Sequence, residues 1–232
     1  MTYQAVHNAA MLVFGPFLAL AAFTKPQEVV SFTTEDGGVV YADVYGSGEH
    51  GVVLAHGGRF TKESWADQAQ VLAEAGFRVI AIDFRGRGRS HGPQSTSGHE
   101  DVHFDVLAAV RYLRDTGATQ VSVVGASFGG GAAAEAAVVA APGEIDRIVL
   151  IAHSSIDHPE QMTGSKLFIT ARGDTSGSGA LRLPGIREQF ERAQDPKEMV
   201  VLDGSAHAQF IFQTDQGPRL LHEIIRFLSE PD

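Results

Sequence analysis

The 232-residue sequence predicts an α/β protein, a mostly parallel sheet of about eight strands flanked by helices. Two observations carry that prediction. Short, continuous apolar runs rich in Val and Ile alternate with longer stretches of helical periodicity, the pattern of strands buried on both faces with helices returning between them. Several of those runs end in turn or chemically active residues, as in "GVVLAH", "VIAIDF" and "VVLDG", and in open α/β sheets sites gather at the carboxyl ends of strands.

The elements follow in order. "VVSFTT" and "VVYADVYG" are β-rich runs separated by "EDGG", a hairpin signal. "GVVLAH" (51–56) is a buried strand, and "SWADQAQVLAEAG" (64–76) a helix closed by a C-terminal glycine. "FRVIAIDF" is the next strand. From His99 to Asp115, Val102, Val106, Val110 and Leu113 recur at helical spacing. Then come strand "QVSVVGA", a helix from Phe128 to Ala141, strands "IDRIVLIAH" and "KLFITAR", helix "LPGIREQFERA" and strand "KEMVVLDG". Pro218 to Leu228 closes the chain as a helix expected to turn Leu220, Leu221, Ile224, Ile225 and Leu228 inward.

Composition narrows the function. The hydrophobic fraction of 44% and charged fraction of 20% are those of a globular protein, and the length suits one domain. A net charge of -10 argues against nucleic acid as the main partner, since the one dense basic run, "RGRGR" (85–89), is short. The absence of cysteine excludes disulfides, thiolate nucleophiles and thiolate metal sites. Residues 9–23 are apolar and uncharged, too short for a straight membrane span. Residues 1–26 are therefore set apart as an apolar N-terminal extension, preferred as a retained helix kinked at Pro16 that packs on the body or mediates a homo-oligomer. The alternative is a secretion signal cleaved near Ala22; the first reading expects a cytoplasmic protein, the second a secreted one. Residues 27–232 are expected to form a single domain.

Gly125-Ala126-Ser127-Phe128-Gly129 fits G-x-S-x-G between a predicted strand and a predicted helix, the context of a nucleophile elbow. Small residues also let a helix lie close to a strand, so the pentapeptide alone is weak. A serine hydroxyl needs a base. His207 follows one strand end and Asp174 another, and each is bland taken singly. In the order Ser127, Asp174, His207, each just past a strand at one edge of one sheet, they form a set able to attack a carbonyl.

With these residues in view, the chain from about Val29 onward resembles the α/β-hydrolase superfamily. "LAHGGRFTKESW" resembles its His-Gly oxyanion loop, "DFRGRGRS" its turn after the next strand, "GASFGG" its elbow, "ARGD" its acid loop and "GSAH" its histidine loop. The resemblance implies an α/β-hydrolase fold with Ser127 as nucleophile, His207 as general base and then acid, and Asp174 holding the imidazole. It implies an oxyanion hole made by the backbone N–H groups of Gly58 and Phe128, with Arg59 as the second candidate for the first of these. No cofactor or metal is implied. Two departures matter: "TSGSG" after Asp174 leaves the acid's position dependent on a flexible segment, and the fourteen residues between Ile151 and Lys166 are too few for a substantial cap domain.

Other signals compete. "HEDVH" (99–103) formally matches a zinc motif, but no third ligand presents itself, and chance occurrence outweighs it. His56 reads as a turn residue. His153 could line the pocket, but capping a strand end is the favoured reading, and Arg59 could line the pocket; Arg85, Arg87 and Arg89 are expected to tie their loop to neighbours rather than hold an anionic substrate. The expectation is a lidless serine hydrolase of carboxylesterase type acting on small, short-chain esters. An acyltransferase, thioesterase or perhydrolase using the same triad is the alternative, and a non-catalytic binding protein of the same fold is disfavoured by the intact triad.

Overall fold

The structure, a computed structural model, describes residues 26–93 and 101–231. Nearly all of the apolar N-terminal extension lies outside the described residues, as do His99 and Glu100 of the "HEDVH" segment. Eight strands form one sheet: β1 (Glu28–Thr33), β2 (Val39–Tyr45), β3 (His50–Ala55), β4 (Arg78–Ile82), β5 (Gln120–Ala126), β6 (Arg147–Ile151), β7 (Ser165–Ala171) and β8 (Lys197–Leu202). Their order across the sheet is β1-β2-β4-β3-β5-β6-β7-β8. The β1-β2 and β2-β4 pairs are antiparallel and all others parallel. The "EDGG" hairpin thus supplies the antiparallel edge, where Glu28 and Val29 face solvent.

Central strands β3, β4, β5 and β6 are buried along almost their whole length, which their unbroken Val, Ile, Leu and Ala runs allow because helices cover both faces. The helices are α1 (Ala66–Glu74), α2 (His103–Asp115), α3 (Phe128–Val139), α4 (Leu183–Arg192) and α5 (Gly217–Leu228). The segment expected to be one helix from residue 64 begins as a 3-10 turn, Lys62–Trp65, that seats Trp65 in the core. In α5 the buried stripe is Leu220, Ile224, Phe227 and Leu228; Leu221 and Ile225 are only half-buried at its edge, and Phe227 takes the place expected of them. Between β6 and β7 there is only a short 3-10 turn, Pro159–Gln161, so the sheet's carboxyl edge carries no cap at that point.

Helix α3 is buried almost all round and packs against β5 without side chains to hold it off. A Cβ on Gly129 would stand 2.5 Å from the carbonyl oxygen of His56, and one on Gly130 2.7 Å from the Cβ of His153. These glycines let the start of α3 sit between the ends of β3 and β6, which fixes where the residue ahead of it points.

Candidate active site

Ser127 occupies the junction of β5 and α3 with φ 51° and ψ -112°, a conformation that an L-residue holds only when its surroundings enforce it. They do so through the backbone. The Ser127 N–H donates to the carbonyl of Ile151 at 2.9 Å, and its own carbonyl accepts from Ser154 at 3.1 Å and from Gly131 at 3.0 Å. The elbow is thereby clamped to the end of β6, and the side chain stands clear of the helix.

The Ser127 Oγ lies 2.8 Å from Nε2 of His207, and Nδ1 of His207 lies 2.7 Å from Oδ2 of Asp174. Residues 80 and 33 positions apart in the chain thus form one hydrogen-bonded relay. Asp174 is 1% exposed while His207 is 27% exposed, so the acid is sealed behind the imidazole and the imidazole faces the cleft. An aspartate so placed fixes the ring's orientation and favours the tautomer carrying its proton on Nδ1, which leaves Nε2 to accept from the serine.

The loop after Asp174 differs from expectation. Thr175 and Leu181 form a β-bridge, Ser176 donates to Ala180 at 2.8 Å, and the N–H of Arg182 donates to the Asp174 carbonyl at 2.9 Å. "TSGSG" is thus the tip of a small hydrogen-bonded hairpin, and the acid sits at its closed base. Glycines at the tip meet the turn's backbone demands without loosening the acid.

The His-Gly loop is held from three sides. His56 is fully buried: its Nδ1 lies 2.8 Å from the Gly57 carbonyl, and its Nε2 accepts the Phe84 N–H at 3.3 Å. Burial pushes its pKa down to about 4, so the ring is neutral and structural, as a turn residue should be. Arg87 donates to the Gly58 carbonyl. Gln209, two residues beyond the candidate base, accepts the Gly57 N–H at 2.7 Å through Oε1 and donates to the Ser64 hydroxyl at 2.9 Å through Nε2. With the Gly57 N–H consumed, Gly58 is the first residue of this loop whose amide is left for the cleft. A Cβ there would sit 3.6 Å from that of Phe128, so the two backbone segments face each other across the cleft beside Ser127.

A cleft of about 400 Å³ opens over the relay, lined by Gly58, Arg59, Phe60, Phe128, Arg182 and Phe210 around Ser127 and His207. Arg59 takes its expected place there. His153 does not: after β6 the chain turns at Ala152 with φ 45°, which carries the His153 ring into the interior, 5.4 Å edge-on to Phe168 and 3% exposed. Burial lowers its pKa to about 4. Arg85 binds Asp36 and Asp105, and Arg89 stacks over Tyr41, so both tie the loop as expected. Gln209 and Arg182 were missed by sequence reasoning. Their only signals are a polar side chain inside "AHAQFIF" and a lone basic residue in "ALRLP".

A family profile described as alpha/beta hydrolase fold matches residues 52–174. The chain belongs to the α/β hydrolase fold family. Its relatives include a non-heme haloperoxidase of Rhodococcus erythropolis, 36% identical over 121 residues, 51% of this chain and 42% of that protein. Another is a bifunctional esterase/perhydrolase of Acinetobacter calcoaceticus, 38% identical over 102 residues, 43% of this chain and 35% of its own length. The matched segments span less than half of these curated relatives. An esterase of Pyrococcus furiosus superposes with a TM-score of 0.70 at 19% identity, covering 87% of this chain and 91% of that one. Sequence, family profile and structure agree on the α/β-hydrolase fold; the structure adds the mostly parallel eight-stranded sheet and, among the described residues, no large cap.

Proposed function

We propose that this protein is a serine hydrolase that cleaves short-chain carboxylic esters through an acyl-enzyme on Ser127. The observation that carries this is the continuous Ser127–His207–Asp174 relay at 2.8 and 2.7 Å, opening into a cleft with no cap above it among the described residues. Ser127 Oγ attacks the ester carbonyl carbon while its proton passes to His207 Nε2. The charge that develops on the carbonyl oxygen is held by the backbone N–H groups of Gly58 and Phe128, already fixed in the loop and helix that bear them. The bond to the alcohol oxygen breaks, and the alcohol leaves with the proton from His207. Water then attacks the acyl carbon as His207 takes its proton, the bond to Ser127 breaks, and the serine recovers a proton as the acid departs. Asp174 stabilises the imidazolium that forms.

The preference for small acids rests on the cleft's dimensions, since few walls are present to cover a long acyl chain. Hydrolysis of 4-nitrophenyl esters from acetate to dodecanoate tests it. Turnover is expected to peak at short chains, and Ser127→Ala to lose about 10³-fold or more in kcat while keeping the native unfolding transition. Wild-type turnover in Ser127→Ala, or a maximum at dodecanoate, would overturn the proposal.

A second reading keeps the acyl-enzyme and changes the acceptor. It is favoured by the relative named a bifunctional esterase/perhydrolase and by the relative named a haloperoxidase. Hydrogen peroxide would replace water at the acyl carbon and release a peracid. Peracid yield as peroxide is added to the ester assay decides between the two acceptors.

A further inference from the structure

The walls of the cleft carry a charge opposite to that of the chain. The protein has 28 acidic residues against 18 basic ones, yet the cleft around Ser127 is lined by two arginines, Arg59 and Arg182, and, among the described residues, by no aspartate or glutamate. The rest of the lining is largely aromatic and backbone. An excess of acid over the whole chain repels small anions, so a paired cationic exception beside the candidate nucleophile points to ligand charge.

Neighbouring arginines are otherwise occupied. Arg85 is closed in by Asp36 and Asp105, Arg87 donates to Gly58, and Arg89 lies 4.0 Å over the Tyr41 ring. Arg59 is exposed at the cleft and has no hydrogen-bond or ion-pair partner among the described residues. Arg182 has its Nε 3.7 Å from Oδ1 of Asp174, too far for a hydrogen bond, and that nitrogen is buried and unbonded among the described residues. Asp174 commits its other oxygen to His207, so it neutralises Arg182 only in part. The Arg182 side chain remains 32% exposed. One arginine follows the His-Gly loop and the other the acid loop, which places a guanidinium on each of two separate loops bordering the candidate nucleophile.

We propose that the cleft selects esters that carry a carboxylate, with Arg59 and Arg182 recognising it; this rests on the hydrolase reading above. A guanidinium presents parallel N–H donors that match the two oxygens of a carboxylate, and the phenylalanines beside it lower the local dielectric and strengthen the pairing. Arg182 is a specificity residue here in addition to any steadying of Asp174.

Two matched pairs of esters test the inference. Mono-4-nitrophenyl adipate is compared with 4-nitrophenyl hexanoate, which places the charge on the acyl side, and 4-acetoxybenzoate with 4-acetoxybenzamide, which places it on the alcohol side. In the wild type, kcat/KM for the charged member is expected to exceed that of its neutral partner by about tenfold or more in at least one pair. That ratio is expected to fall towards one in Arg59→Gln and in Arg182→Gln, and to shrink with added salt. Both neutral and charged esters slowing together in Arg182→Gln, at an unchanged ratio, would mean that Arg182 only positions Asp174; with the ratio also unchanged in Arg59→Gln, the inference fails. Wild-type cleavage of both members without preference in either pair overturns the inference and leaves the hydrolase reading standing. Cleavage of none of the four esters defeats both.

Discussion

Adding one methyl group at Gly125 is expected to disable the candidate site while leaving its three polar side chains in the sequence. A Cβ at this position would stand 2.7 Å from both the carbonyl carbon of Gly129 and the Cα of Gly130, and closer still to the Gly129 carbonyl oxygen. Carbon atoms pack at about 3.5 Å or more, so the first turn of α3 must recede by about 1 Å. Because these are backbone atoms, no rotamer change relieves the overlap. Ser127 joins β5 to that turn and its Oγ meets His207 at 2.8 Å, so a displacement of this size stretches the contact beyond hydrogen-bonding range. A misplacement of about 1 Å costs on the order of 10²-fold in rate. Overpacking at a buried site costs about 1–3 kcal/mol in stability. The assay is kcat for 4-nitrophenyl acetate beside urea unfolding of Gly125→Ala. Gly185→Ala is the control: that glycine lies inside α4 with nothing within 4 Å of its Cβ position, and alanine there is expected to stabilise by about 0.5–1 kcal/mol with activity unchanged. Gly125→Ala within threefold of wild-type kcat would refute the steric account of the elbow.

Gln209→Ala leaves the buried Gly57 N–H without its acceptor, and urea unfolding should register a loss of about 1–3 kcal/mol. Because the same bond holds the Gly58 loop, kcat for a small ester is expected to fall more than KM changes. His56 and His153 have folded pKa values near 4 against an ordinary 6.5, so the unfolded chain binds their protons first as pH falls. Their stabilising contribution is complete above pH 6.5 and is lost towards pH 4, with a slope of about 1.4 kcal/mol per pH unit for each histidine. Unfolding titrations across this window should lose one proton's worth of slope in His153→Phe. Asp105→Ala takes one of two carboxylates from buried Arg85, leaving it paired with Asp36 but its Nε and backbone N–H without an acceptor, and should cost about 1–3 kcal/mol by chemical denaturation.

The strands, the strand-turn-helix around Ser127 and the positions of Asp174 and His207 at strand ends were legible because each rests on local signals. A Val-rich run ending in G-x-S-x-G needs only the chain's own steric limits to define a strand, a tight turn and a helix start. Asp174 and His207 were legible because both directly follow strands of the same sheet. The burial of α5 was read correctly on its main stripe and misread at Leu221 and Ile225, since the exact edge of an apolar face depends on what packs against it. His153 kept a pocket-lining alternative beside its favoured reading as a strand-end residue because alanine at position 152 gives no notice of the positive φ that turns the ring inward.

The sequence by itself determined the sheet, its helices and which loops hold the candidate site residues, because hydrophobic period and turn chemistry act over a few residues. Only the tertiary structure decided that Gln209 braces Gly57, that the acid hairpin is closed, and that Arg59 and Arg182 share one cleft. Those outcomes depend on loops from distant parts of the chain meeting in space, and whether a polar side chain there finds a partner, solvent or a ligand is set by that meeting.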